Sequence, residues 1–108
     1  MTVEKFAENF ESEILCLPNP DREIGGGYAG DLLSWVMGRL CEDDAWVTIM
    51  TNVNVVAVAA LTDPACIILS EGVKPEDGVL ERAMLQGVNM LRTSNTTFEV
   101  CADIKATI

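Results

Sequence analysis

The chain has 108 residues, 49% of them hydrophobic and only 6% aromatic, so it has room for one core built from Val, Ile, Leu, Met and Ala. Its formal net charge is −10 with no histidine, which repels nucleic-acid phosphates and anionic membrane surfaces and removes the usual general base. Cys16, Cys41, Cys66 and Cys101 stand far apart, without a Cys-x-x-Cys pair, so neither a disulfide framework nor a zinc site is expected.

The N-terminal residues hold no long apolar run, which predicts neither a signal peptide nor a membrane span and makes the cytoplasm the expected compartment. Val3, Phe6, Ala7 and Phe10 have the spacing of one helical face over residues 2–10. Ile14-Leu15-Cys16-Leu17 reads as a short buried strand, stopped by Pro18-Asn19-Pro20. The loop then continues through Asp21-Arg22 into Gly25-Gly26-Gly27, read as a flexible turn with positive φ angles.

Tyr28, Leu32, Leu33, Val36, Met37 and Leu40 recur at helical spacing, and Trp35 falls just off that stripe, where exposure would mark a subunit contact. Trp46 to Met50, without a charge, predicts a strand covered on both faces. Val53 to Leu61 is apolar nearly all round. Its alanines, the preceding Thr51-Asn52 cap and the Asp63-Pro64 stop favour a helix over a strand.

Ala65 to Leu69 is the next strand. Pro75, with Glu76 and Asp77, opens a helix predicted to run to Gln86 and stop at Gly87. Val88 to Leu91 is the last strand, and Thr96-Thr97-Phe98-Glu99 is a capping box for a terminal helix with Phe98, Cys101 and Ile104 on one face. The order predicts a single α/β domain over residues 1–108: a mostly parallel sheet of about four strands with helices packed on it.

In such a sheet the strand ends share a carboxyl edge, where open α/β folds take their ligands. The expected rim residues are Arg22, Gly25 and Gly26 from the first loop, then Thr51, Asn52 and Asn54, then Glu71, and finally Arg92 and Thr93. Each has a plain alternative: the glycines as a turn, the Thr-Asn group as helix caps, and the two arginines as anchors for neighbouring carboxylates. Asp31 and Glu71 are the carboxylates expected at that edge.

Gly25 leads to Gly30-Asp31, which puts a carboxylate where a phosphate-binding P-loop needs lysine. Ser34, Ser70, Ser94 and the cysteines have no histidine to activate them. No catalytic residue, metal or cofactor is therefore assigned.

Several segments resemble the DRTGG domain family: Asp21-Arg22 with Gly25-Gly26, residues Gly27 to Ser34, Thr48 to Ala59, and Ile67 to Gly72. The eponymous motif is partly kept, with Glu23-Ile24 where a threonine is expected. The resemblance implies a fold similar to the N-terminal domain of HPr kinase/phosphorylase, an accessory role beside other domains, and self-association as a homodimer. It does not carry over kinase chemistry, because the P-loop domain of that enzyme has no counterpart here. The expected function is a non-catalytic regulatory or protein-interaction module with an unidentified protein partner. The alternative is a sensor for an adenine nucleotide or another small anionic ligand, bound through Arg22, the glycines, Asn52 and Arg92.

Overall fold

A computed structural model describes residues 1–108. A five-stranded sheet runs through it in the order β1-β5-β4-β3-β2, with β1 Glu13–Cys16, β2 Gly26–Ala29, β3 Asp44–Thr48, β4 Cys66–Leu69 and β5 Met90–Arg92. β2 to β5 are mutually parallel and β1 lies antiparallel on β5. The helices are α1 Val3–Asn9, α2 Leu33–Arg39, α3 Asn54–Thr62, α4 Val79–Gln86 and α5 Thr97–Thr107.

Alternation along the central strands divides the interior into two cores. Trp46, Ile67, Leu69 and Met90 point to one side, against Val36 of α2 and Leu40 just after it, Val55, Val56 and Ala59 of α3, and Val79 and Ala83 of α4. Ala45, Val47, Cys66, Ile68 and Leu91 point to the other, against Val3, Phe6 and Ala7 of α1 and Val100 and Ile104 of α5. Three successive crossovers step the sheet in one direction, so α2, α3 and α4 share one face with α3 in the middle. Trp46 is fully buried, and its Nε1–H donates to Gly30 O at 3.0 Å, so the largest side chain of the core has its one polar atom satisfied.

The fold class stands as expected, with one strand more than anticipated. Gly26–Ala29 is extended and pairs with β3, so the expected helix from Tyr28 begins only at Leu33. None of Gly25, Gly26 and Gly27 has a positive φ; the glycines that do are Gly72, Gly78 and Gly87. The glycine at 27 serves close approach instead, because a Cβ there would lie 2.9 Å from Ile104 Cγ2 on α5.

Two further expectations change. The helix expected from Pro75 starts at Val79, because Gly78 takes a left-handed conformation and Pro75 to Gly78 form a turn ahead of it. Phe98 is 84% exposed, and the buried face of α5 is Val100 and Ile104, with Cys101 half-buried. The capping box is as read: Thr96 accepts from Glu99 N–H, and Glu99 accepts from Thr96 N–H at 2.9 Å. Those bonds hold the exposed Glu99 carboxyl below its usual range.

The chain begins beside Glu23 and Ile24, and its last residue lies against β2. The Met1 ammonium pairs with Glu23 at 2.9 Å, Met1 O accepts from Ile24 N–H, and α5 runs back from the end of β5 across β2.

Two predictions follow from this packing. Gly27→Ala should cost about 1–3 kcal/mol by forcing α5 away from the sheet. The cost should shrink in an Ile104→Leu background, which lacks the opposing methyl, as read by urea unfolding of the single and double variants. Burial also pushes the Cys66 thiol from 9.0 up to about 12. Between those values the folded chain keeps a proton that the unfolded chain has lost, so this stabilisation is complete below the lower value and lost as pH rises through the window. Unfolding free energy should therefore fall more steeply above about pH 9 for the natural chain than for Cys66→Ala, in urea titrations across pH.

Candidate functional site

The carboxyl ends of β2 to β5 gather the loops that follow each strand, and the segment entering β1 joins them because β1 runs the other way. Thr51, Asn52, Glu71, Arg92 and Thr93 are brought to this rim as expected. Arg22, Gly25 and Gly26 are not. The loop after an antiparallel β1 emerges at the opposite, amino edge, where Gly25 N–H donates to Asp43 O at 2.9 Å and Gly26 pairs with Asp44 at the start of β3. Asn54 lies on α3 and lines a groove between α3 and α4, outside the rim.

At the amino edge Arg22 is a clamp. Its Nε donates to Asp43 Oδ1 at 2.8 Å, Nη1 to Asp63 Oδ1 at 2.9 Å and Nη2 to Asp63 O at 2.7 Å. Asp43 and Asp63 both have positive φ, at 70° and 57°, and precede β3 and β4, so one guanidinium ties down two left-handed turns. Burial lowers the affinity of the guanidinium for its proton, but the bonds and charges of Asp63 and Asp43 outweigh that and raise it. A wide polar depression of about 590 Å³ opens here between Pro18-Asn19-Pro20-Asp21, Arg22, Asp63, Gln86 and Gly87. Its cation is already balanced by two carboxylates.

The carboxyl rim is stitched together by the same chemistry. Arg92 is mostly buried and donates from Nε to Val73 O at 2.8 Å, from Nη2 to Gly72 O at 2.8 Å and from Nη1 to Glu13 Oε2 at 3.0 Å. Glu71, at φ 60°, accepts from Thr97 N–H at 2.8 Å, so the start of α5 receives a carboxylate from the chain itself. Beneath it, the buried Ser70 hydroxyl meets that of Thr97 at 2.7 Å. Gly72 N–H donates to Thr93 O, and Thr93 Oγ1 accepts from Asn95 N–H, which joins the loops after β4 and β5.

The helix-cap reading holds for Asn52 alone, since Val53 precedes α3 without a side-chain cap. Asn52 Oδ1 accepts from Asn54 N–H at 2.9 Å, while Thr51 bonds Glu76 through both its hydroxyl and its carbonyl. Asp31 reaches the end of β3, where its Oδ1 accepts from Thr48 Oγ1 at 2.7 Å and Ile49 N–H at 2.9 Å. Asp31 was expected at this edge; its partner Thr48 was not. A buried threonine directly after the apolar Ala45-Trp46-Val47 run is the signal that would have found Thr48.

The result is a rim that satisfies itself. Of four cavities in the molecule, none is lined by Thr51, Asn52, Glu71, Arg92 or Thr93. No helix is long and apolar enough to cross a membrane.

The sequence model of the DRTGG domain matches residues 29–107, well over half of the chain. The chain belongs to the DRTGG domain family. The match begins inside β2, so Asp21-Arg22 and Gly25-Gly26, which carried part of the resemblance, lie before it. The fold is similar to that of the CBS and DRTGG domains of the regulatory region of Clostridium perfringens pyrophosphatase, solved with its activator, diadenosine tetraphosphate. The TM-score is 0.75 at 12% identity, over 95% of this DRTGG chain and 45% of that one, so this chain spans less than half of its neighbour. No curated protein matches by sequence.

Arg92→Ala removes three bonds and leaves two loop carbonyls unpaired. It should lower unfolding free energy by about 2–3 kcal/mol and speed hydrogen exchange of the amides of Glu71 to Val73, with little effect at the amino edge.

Proposed function

We propose that this DRTGG domain chain is a non-catalytic regulatory or protein-interaction module that acts as a homodimer. The observation that carries the reading is the closed carboxyl rim. Where an open α/β sheet would take a ligand, Arg92 is held by Gly72, Val73 and Glu13, Glu71 caps α5, and Asp31 caps the end of β3. The hydroxyls there, Ser70, Thr97, Thr48 and Thr51, bond one another or carboxylates, and the chain has no histidine to act as a base beside them. A rim built this way fixes loop shape, which suits a surface that is recognised by another protein surface.

A second reading, a sensor for an adenine nucleotide or another anionic metabolite, is favoured by one observation: the pyrophosphatase region that shares this fold was solved with a nucleotide activator. In this chain it must overcome a net charge of −10 and two arginines that already hold carboxylates.

Light scattering over a concentration series should give twice the mass of the chain, and a monomer at the highest concentration would count against the module reading. In thermal-shift titrations a nucleotide at a hundred times its Kd would add about 2.7 kcal/mol and raise Tm by several degrees. The closed rim leads us to expect no such rise with ATP, AMP or diadenosine tetraphosphate. A rise that Arg92→Ala abolishes would establish the sensor reading instead.

A further inference from the structure

We infer that two copies of this chain pack through the outer face of α3, an assignment that rests on the homodimer reading above and adds the surface to it. α3 is the one helix of the five without a charged residue. Its inward positions Val55, Val56, Val58 and Ala59 belong to the core, as in any amphipathic helix. Its outward positions carry one polar residue, Asn54 in the first turn, and are otherwise apolar. Val53, just ahead of the helix, with Ala57, Ala60 and Leu61 forms a stripe at i, i+4, i+7 and i+8, all exposed, with Val53 at 45% and Leu61 at 74%. A surface helix places polar and charged residues at such positions, and one that is apolar all round is normally covered all round.

The surroundings of the stripe point to the same use. A groove of about 210 Å³ lies between α3 and α4, lined by Val53, Asn54, Val56, Ala57 and Ala60 and flanked by Arg82 and Gln86. Arg82 forms no ion pair within the chain. Arg39, on the helix at the other flank of α3, forms none either; its guanidinium lies 4.1 Å from the ring centre of Trp35, which is 55% exposed. Aromatic and Arg side chains beside an apolar strip are what interface centres are enriched in.

Charge selects a second copy as the occupant. A surface of net charge −10 makes two copies repel over most approaches, but this strip contributes no acid and is bordered by two of the seven cations of the chain. A second copy brings the carboxylate that Arg82 lacks, since Glu81 on the same helix is exposed and the α4 helices of the two copies flank the α3 pair together. The stripe is also self-complementary. In an antiparallel pairing about a two-fold axis at Ala57, Val53 of one copy meets Leu61 of the other, and alanine meets alanine where the helices cross. A dimer of ordinary size buries about 800 Å² per partner, which is the scale of one face of a body 29 × 25 × 24 Å across.

Sedimentation velocity of the full chain with Ala57→Arg tests the assignment. The natural chain should be dimeric, and the variant should raise the dimer dissociation constant by about a hundredfold or more while keeping its far-UV spectrum. Phe98→Arg, at an equally exposed apolar residue on the opposite layer, should leave the dimer intact. If Ala57→Arg fails to fold, Leu61→Asp supplies the same reading at a position 74% exposed. In a Cys41→Ser background, Ala57→Cys should form a disulfide-linked dimer on mild oxidation. Dimers that survive both charge insertions and resist that cross-link would overturn the α3 surface while leaving self-association standing. A natural chain that is monomeric throughout would overturn both.

Discussion

The structure depends on one constraint: its central strands are covered on both faces. β3 and β4 present Ala45 to Thr48 and Cys66 to Leu69 with no residue more than 1% exposed. Strands buried this way cannot carry charge, so they read as continuous apolar runs, and every polar group able to do chemistry is displaced to the loops at the two rims. The same burial raises the Cys16 and Cys66 thiols, so these two behave as small hydrophobes rather than reactive groups.

The two rims then divide by strand direction. Because β1 alone runs antiparallel, its loop carries Arg22 to the amino edge, while Arg92 at the end of β5 stays at the carboxyl edge. The two arginines nevertheless do similar work. Arg22 gathers two carboxylates and one backbone carbonyl, Arg92 one carboxylate and two carbonyls, and each holds residues at positive φ: Asp43 and Asp63 at one rim, Gly72 beside Glu71 at the other. Charge-assisted bonds of this kind keep strained turns in place that would otherwise sample other conformations.

Most of this architecture was legible in the residues. The apolar runs marked β3 and β4, the Thr96-Glu99 box marked the start of α5, and Gly87 marked the end of α4. The Asp63-Pro64 stop separated α3 from a strand that its valines alone would have suggested. β2 escaped because its two glycines weaken a strand signal and Tyr28 stands at helical spacing from Leu32; it is extended because β3 offers a free edge and α5 needs glycine beneath it. The start of α4 was misplaced because proline and two acids are as compatible with a turn as with a first helical turn, and the left-handed Gly78 decides between them.

The candidate site was the less legible part. Periodicity says whether a segment is a strand but carries no information about its direction, and direction alone moved Arg22, Gly25 and Gly26 away from the other candidates. The residue types were still informative, since an arginine beside a strand end had been weighed as an anchor for carboxylates, and both arginines hold them.

The placement of the chain ends bears on how such a unit can be joined to others. Met1 is tied beside Glu23, and α5 returns across β2. A polypeptide fused to Met1 departs beside Glu23, near the Arg22 clamp, one fused to Ile108 departs beside β2, and the outward side of α3 lies on the layer opposite α1 and α5. Both junctions thus belong to the α1/α5 side of the sheet, and an attached polypeptide leaves the outward side of α3 unobstructed.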